Sequence, residues 1–505
     1  MKALKNILAF IIAMGIGGCS DFLDKDPTDQ LSSNLFWQSK ADFDNGLTAL
    51  YGSLQGEMFS YGAPNWDALT DNAYGQHNYY GSNALVQGNI FPSSGGYISS
   101  IYLNAYTAIA RVNNFLEKLG AYTGNDITTE TRQNYEGEAQ FIRAFFYFYL
   151  YHNYGEVPIV TETLNLENQH QPKSDSEVVF GQIIEDLEGA INKLPAIPYS
   201  ESGGHVVKSS ADAFMVRVLL YNAYDDNGNA KADIMQKAQL HAQAVIDAGY
   251  QLDEIYTDVF RDGTQEGNEE IIFSIKFLAP DNFTAMDQWY GDWLVISPLQ
   301  NLVDDYEYKD GLPLGESPLT NFEEPFVDRD PRLAQTIFED HVDFGDGNTH
   351  MPSNNRPTGY GLAKFLTPDL IPYGYATRSQ QDWVALRYAD ILLMMAEIEN
   401  ELAGPNTLVY EAVNSVRERA GMPPLPEGLP QANMRDRIRH ERRIELAFEG
   451  LRYYDLKRWK IAETVLNNVN DGVVPYQFEE KFYHWPLPQS EIDRSNGILV
   501  QNPNY

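Results

Sequence analysis

Two stretches of this 505-residue chain gather side chains suited to holding an uncharged, hydroxyl-rich ligand. Residues 57–106 carry ten aromatics (Phe59, Tyr61, Trp66, Tyr74, Tyr79, Tyr80, Phe91, Tyr97, Tyr102 and Tyr106) but only three charged groups, Glu57, Asp67 and Asp71, in a chain that is 13% aromatic and 21% charged. Six Asn and six Gly supply much of the remainder. Flat rings stack on apolar C–H faces while amides and carboxylates bond hydroxyls at the rim, and a sugar offers both surfaces. The second stretch is Trp289-Tyr290-Gly291-Asp292-Trp293, beside Asn282, Asp287 and Gln288. The candidate ligand residues are therefore Trp66, Tyr74, Tyr79, Tyr80, Trp289, Tyr290 and Trp293 for stacking, with Asp67, Asp71 and Asn72 for hydroxyls. For each ring the competing reading is burial beneath a loop. Tyr102 and Tyr106 run on into a helical period and read as core.

Other chemistry is looked for and not found. The chain has no G-x-S-x-G elbow and no Gly-rich loop ending in Gly-Lys-Ser/Thr, so neither a hydrolase nucleophile nor a P-loop is signalled. His440-Glu441-Arg442-Arg443-Ile444 begins like a zinc-protease helix, but Ile444 stands where the second histidine is needed. Asp225-Asp226-Asn227-Gly228 resembles a calcium loop, yet that register puts Ala223 and Ile234 at the first and twelfth positions, where carboxylates are required. No metal site, cofactor or catalytic residue is expected. A carboxylate pair of the glycosidase kind is defined by separation in space, which the sequence does not specify.

Charge narrows the partners. With 36 Lys+Arg against 71 Asp+Glu the chain carries −35, a field that repels phosphate backbones and argues against nucleic acid. The single cysteine, Cys19, removes internal disulfides and thiolate metal clusters together. Its position is informative. Lys2 and Lys5 precede an eight-residue apolar run, 7–14, too short to span a bilayer, and Ile16-Gly17-Gly18-Cys19 resembles a bacterial lipobox. The expectation is a signal peptide over 1–18, lipid attached at Cys19, and a mature chain carrying −37 anchored to a membrane by acyl chains.

The elements that must position the aromatics are mostly helical. Apolar residues recur with helical period over 41–58, 102–119, 135–152, 176–194, 209–224, 231–248, 387–402, 408–419 and 433–448. Short links between such segments predict antiparallel helix hairpins of tetratricopeptide-like architecture, although no 34-residue period is present. Residues 57–106 and 253–385 break the pattern, the latter holding the strand-like 270–275. The expected organisation is a helical part over 19–252 with ligand loops at 57–106, an irregular insertion at 253–385, and a helical part over 386–505. Arginines and acids alternate over 435–458, which reads as internal ion pairing of a helix hairpin.

Five separated blocks carry a family resemblance. Phe141-Ile142-Arg143-Ala144-Phe145-Phe146-Tyr147 with Tyr154-Gly155-Glu156-Val157-Pro158 is the first, and Asp328-Arg329-Asp330-Pro331-Arg332-Leu333 the second. The others are Arg387-Tyr388-Ala389-Asp390 to Glu397 (Asp390 standing where Glu is usual), Asn414 to Gly421, and Glu441 to Trp459. Together with the lipobox they resemble the SusD/RagB family of outer-membrane nutrient-binding lipoproteins. The resemblance implies a mainly α, SusD-like scaffold with TPR-like hairpins and loop-rich insertions. It implies a non-enzymatic surface lipoprotein that binds oligosaccharide or polysaccharide and delivers it to a SusC-like TonB-dependent transporter of the outer membrane. A peptide ligand, as in the RagB branch, is the alternative, and a glycoside hydrolase a more distant one.

Overall fold

The computed structural model describes residues 36–505 apart from 346, 353–355 and 472. The expected signal peptide 1–18 and lipid-bearing Cys19 lie outside the described residues. Helices form where the apolar period runs: α1 (Lys40–Leu54), α2 (Tyr97–Ala121), α3 (Thr129–Tyr154), α4 (Ser176–Lys193), α5 (Lys208–Tyr221) and α6 (Ala232–Asp247). After the irregular insertion come α7 (Tyr388–Ala403), α8 (Thr407–Arg419), α9 (Gln431–Glu445) and the short α10 (Arg452–Arg458). The architecture is the mainly α scaffold expected. Among the described residues no helix is long and apolar enough to cross a membrane.

Local chemistry sets the helix ends. Thr128 Oγ1 accepts the Thr131 N–H at 3.1 Å to start α3, and Gly155, at φ 71°, stops it. Asn406 caps α8 through the Val409 N–H at 3.1 Å, after Gly404 has closed α7 at φ 77°. Consecutive helices pack in pairs, α3 on α4, α5 on α6 and α7 on α8, with α7 also lying against α6 and α9. Helix α5 is buried on nearly every side, and Phe214 within it meets Phe141, Phe145 and Phe148 of α3 with ring centroids 5.3–5.7 Å apart. Full burial of each such ring contributes about 1.5–3 kcal/mol.

The strand foreseen at 270–275 is β2 (Ile271–Ile275), which pairs antiparallel with β4 (Trp383–Arg387) across the whole insertion. Two much shorter strands, β1 (Ala73–Tyr74) and β3 (Ser297–Pro298), pair antiparallel as Ala73↔Pro298 and Tyr74↔Ser297.

The arginine-rich stretch 435–458 is internal ion pairing, but not of one hairpin. Its partners come from across the chain. Arg332 reaches Glu441 at 2.7 Å and Glu445 at 2.8 Å, Arg387 reaches Glu270 at 2.8 Å and Glu445 at 2.7 Å, and Arg417 joins Glu441 to Glu307. All of these residues are buried. Burial pushes the Glu445 carboxyl up, and Arg419, Arg387 and Arg332 outweigh it and hold the group well below the usual range. Charged residues of the last four family-like blocks thus meet in buried ion pairs, whereas Arg143 of the first pairs with Asp186 at 2.6 Å. Asp225 is accounted for as well: its carboxylate accepts the N–H groups of Asn227 and Asn229 at 2.8 and 2.9 Å, a turn closed on itself.

Candidate functional site

The β1–β3 pair brings the two aromatic stretches together although more than 180 residues separate them in the chain. Beyond β1 the chain turns through Asn78 and Tyr80, both left-handed at φ 50° and 52°. Just before β3, residues Gln288–Trp293 make a π-helical turn that Leu294 ends at φ 51°. Left-handed backbone is unfavourable for residues as large as Tyr and Leu, and π turns recur at functional sites. Gly96 permits the first bend: a Cβ there would lie 1.9 Å from the Tyr80 carbonyl oxygen.

The rings form an arc. Tyr79 lies 4.6 Å from Trp289 at 37°, Trp289 is stacked 6.5 Å from Trp293 at 20°, and Trp293 meets Tyr375 edge-on at 5.5 Å. Tyr61 supports Trp289 from the side at 5.2 Å. Along the arc Tyr79 is half-buried, Trp289 is buried at 5% exposed, Trp293 is half-buried, and Tyr375 at the outer end is 78% exposed. His77 Nε2 donates to the Trp293 carbonyl at 2.7 Å and ties the two halves. Glu57 accepts the hydroxyls of Tyr61, at 3.2 Å, and of Tyr80. Desolvation first, then Glu57, raises the Tyr79 and Tyr80 hydroxyls above the usual phenol value, so both are neutral donors at physiological pH.

Several expected ligand residues have no surface to offer. Trp66 is 1% exposed, stacked 5.9 Å from Trp485 with its indole N–H on the Met58 carbonyl at 3.1 Å; it is core. Asp67 and Asn72 are fully buried and bonded to each other at 2.7 Å, and Asp67 also accepts the Phe448 N–H at 3.2 Å. Burial raises the Asp67 carboxyl to about 6. Asp71, 5% exposed, takes both arms of Arg452 at 2.9 Å and Arg443 at 3.0 Å. Desolvation opposes ionisation of Asp71, and the two arginines overcome it, keeping the group well below the usual carboxylate range. Tyr290 is buried, with its hydroxyl on the Tyr61 carbonyl at 3.0 Å. The role of Trp66, Asp67, Asp71, Asn72 and Tyr290 is therefore to fasten β1 and the π turn to the scaffold. Tyr74 is half-buried, and its hydroxyl accepts the Asn83 amide at 3.3 Å.

Tyr375 was not foreseen. Its one sequence signal is Tyr373-Gly374-Tyr375 within a Pro- and Gly-containing strap, and Tyr373 turns out to be buried with its hydroxyl on the Thr367 carbonyl at 2.9 Å. Beneath the arc Asp287 accepts the Thr367 N–H at 2.6 Å, and desolvation lifts its carboxyl to about 7. Elsewhere a groove of about 590 Å³ runs beside Pro198, Lys208, Tyr250 and Glu269. Its single ring, Tyr250, is bonded to Ser209 at 2.7 Å, so it offers no stacking array. Among the described residues no three His, Cys, Asp or Glu side chains gather as a metal site would require.

Comparison with known proteins gives the same picture along the whole length. A family model described as the SusD family matches residues 255–505, and one described as starch-binding associating with outer membrane matches residues 21–220. SusD-like protein P2 of Formosa agariphila is 25% identical over the full length of both chains, and SusD-like protein P38 of the same organism is 26% identical over 93% of this chain and 94% of its own. A crystal structure of a SusD-like protein from Bacteroides fragilis superposes with a TM-score of 0.81 at 26% identity, covering 95% of this chain and 100% of the other. A SusD-like carbohydrate binding protein from the same organism superposes with a TM-score of 0.79, also at 26% identity, over 92% of this chain and 99% of its own.

Proposed function

The chain belongs to the SusD family, and from that premise we propose that it captures oligosaccharide at the outer membrane on the arc of Tyr79, Trp293 and Tyr375, which buried Trp289 backs. The observation that carries this reading is the arc itself: rings from three separate segments lie side by side, Tyr79, Trp293 and Tyr375 presenting surface and buried Trp289 backing them, a shape that sugar faces can stack on. The carbohydrate-binding description of a 26%-identical relative supports it. The protein acts by binding rather than catalysis. Lipid at Cys19 tethers it to the outer membrane, probed by the loss of membrane fractionation in Cys19→Ser. A TonB-dependent transporter receives the ligand.

Stacking contributes on the order of 1 kcal/mol per ring, so three or four rings give roughly millimolar affinity. Calorimetry against a panel of neutral and acidic oligosaccharides, for the protein and for the Trp293→Ala/Tyr375→Ala double variant, tests the platform. Binding that the double variant loses supports it. Undiminished binding by the double variant, or a panel in which no oligosaccharide binds, refutes it. Co-purification of a large β-barrel with the tagged lipoprotein from solubilised outer membranes tests the delivery step.

A further inference from the structure

The cations of this protein are largely consumed by its acids, which outnumber them 71 to 36. In the loop-rich insertion Lys276 pairs with Asp382 at 2.7 Å and Arg356 with Asp340 at 3.8 Å. Arg378 differs. It is exposed, and it sits three residues beyond Tyr375, the outermost ring of the platform. Its Nη1 donates to the carbonyls of Tyr375 at 2.8 Å and Thr377 at 2.9 Å, and its guanidinium carbon lies 4.1 Å from the Phe283 ring centroid.

The strap beneath is fixed as well. The Thr377 N–H closes a turn onto Gly374 at 3.0 Å, the Gly374 N–H bonds Thr377 Oγ1 at 2.9 Å, and the Thr284 N–H bonds the Ser379 carbonyl at 2.8 Å, locking the strap to the segment that carries Phe283. A surface arginine ordinarily sweeps through many rotamers, and ordering it costs up to about 2 kcal/mol. Here two carbonyls and an aromatic face hold it. Among the described residues no carboxylate pairs with the guanidinium, and its hydrogen bonds are made by Nη1 alone. Nε and Nη2 thus form the planar fork that matches two oxygens of a carboxylate or sulfate.

We infer that Arg378 is a specificity-determining residue that reads an oxyanion substituent, a uronate carboxylate or a sulfate ester, on a glycan whose ring stacks at Tyr375. This rests on the platform reading above and names its substrate class. An acidic protein disfavours polyanionic ligands at long range, but that field is screened beyond about 10 Å at 0.1 M salt, whereas a fixed fork acts at contact. The overall charge therefore does not exclude an acidic glycan; it makes recognition depend on this contact.

The test uses matched polymers: polygalacturonate against its methyl ester, and a sulfated galactan against the same galactan after desulfation. Affinity electrophoresis of the intact protein, Arg378→Gln, Arg378→Lys and Trp293→Ala gives the relative affinities, and melting temperatures check folding. The protein is expected to bind the charged member of at least one pair roughly three- to tenfold more tightly, an advantage that falls with salt. Arg378→Gln is expected to remove it without lowering the melting temperature, and Arg378→Lys, which keeps charge but loses the fork, to retain part. Equal binding of both members in both pairs, or an advantage that survives Arg378→Gln, overturns the assignment. Trp293→Ala should weaken both members alike; if it weakens neither, the platform reading fails while the Arg378 comparison still stands or falls on its own ratio. Binding of none of the four polymers overturns the assignment of Arg378.

Discussion

Trp66 and Trp293 both sit in aromatic-rich stretches, and truncating them should damage different properties. Trp66 packs against Tyr97 at 4.8 Å, Tyr454 at 5.2 Å and Trp485 at 5.9 Å, and donates to the Met58 carbonyl. Replacing a fully buried Trp by Ala costs about 3–5 kcal/mol through lost transfer energy and the cavity left behind. The stranded carbonyl adds about 1 kcal/mol. At about 2.1 cal/mol/K per residue, a chain of this length has an unfolding entropy of roughly 1 kcal/mol/K, so Trp66→Ala should lower the melting temperature by about 4–6 °C. Binding at the platform should be nearly intact in the molecules that remain folded. Trp293→Ala removes a half-buried ring that lies between Trp289 and Tyr375. Its melting temperature should move by about 1 °C or less, while affinity for the glycan falls by about tenfold, since a stacking surface is lost and Tyr375 loses its edge contact. Differential scanning calorimetry and isothermal titration on the same preparations measure both. If Trp66→Ala abolished binding at unchanged stability, or Trp293→Ala melted as early as Trp66→Ala while binding normally, the division between core and platform drawn here would be wrong.

The buried ionic lattice should be brittle: Glu445→Ala removes one carboxylate shared by Arg332, Arg387 and Arg419, leaving a buried excess of positive charge, and should cost about 3–5 kcal/mol, read as a lower urea midpoint. Asp287 has a folded-state pKa raised from 3.8 to about 7 by burial. Its contribution is present below the unfolded value and is lost as pH rises through about 7. Asp287→Asn should therefore melt above the parent at pH 8 and lose that advantage near pH 4; an advantage independent of pH would refute the assignment. Gly96→Ala places a Cβ against the Tyr80 carbonyl at a φ of 60°, and should cost about 2 kcal/mol and weaken glycan binding with it, both seen in the same calorimetric pair of measurements.

Much of the helical frame was legible because period alone reveals it. In α7 the spacing of Ile391, Met394, Met395 and Ile398 marks one face, and all four are buried. The strand β2 was also legible, but its partner was not: β4 lies more than 100 residues away, and Arg387, which reads as the start of a helix, is the last residue of that strand and the N-cap of α7. The arginines of 435–458 showed their need for acids and not the identity of those acids. Glu401, Glu307, Asp390 and Asp71, which pair with Arg435, Arg437, Arg442 and Arg452, lie outside that stretch and reach it only through the fold.

The aromatic stretches followed the same division. Composition identified where rings concentrate, and with the family blocks it identified the class of scaffold that holds them. It did not distinguish Trp66, which faces the core, from Trp293, which faces out, because a count of residue types has no direction. Direction came from the β1–β3 pairing, the π turn and the left-handed Tyr80, each a long-range or strained feature with no local signature. Residue identities thus determined the helices, the family and where the rings concentrate. Only the tertiary structure decided which of those rings face out, because facing is set by contacts between segments far apart in the chain.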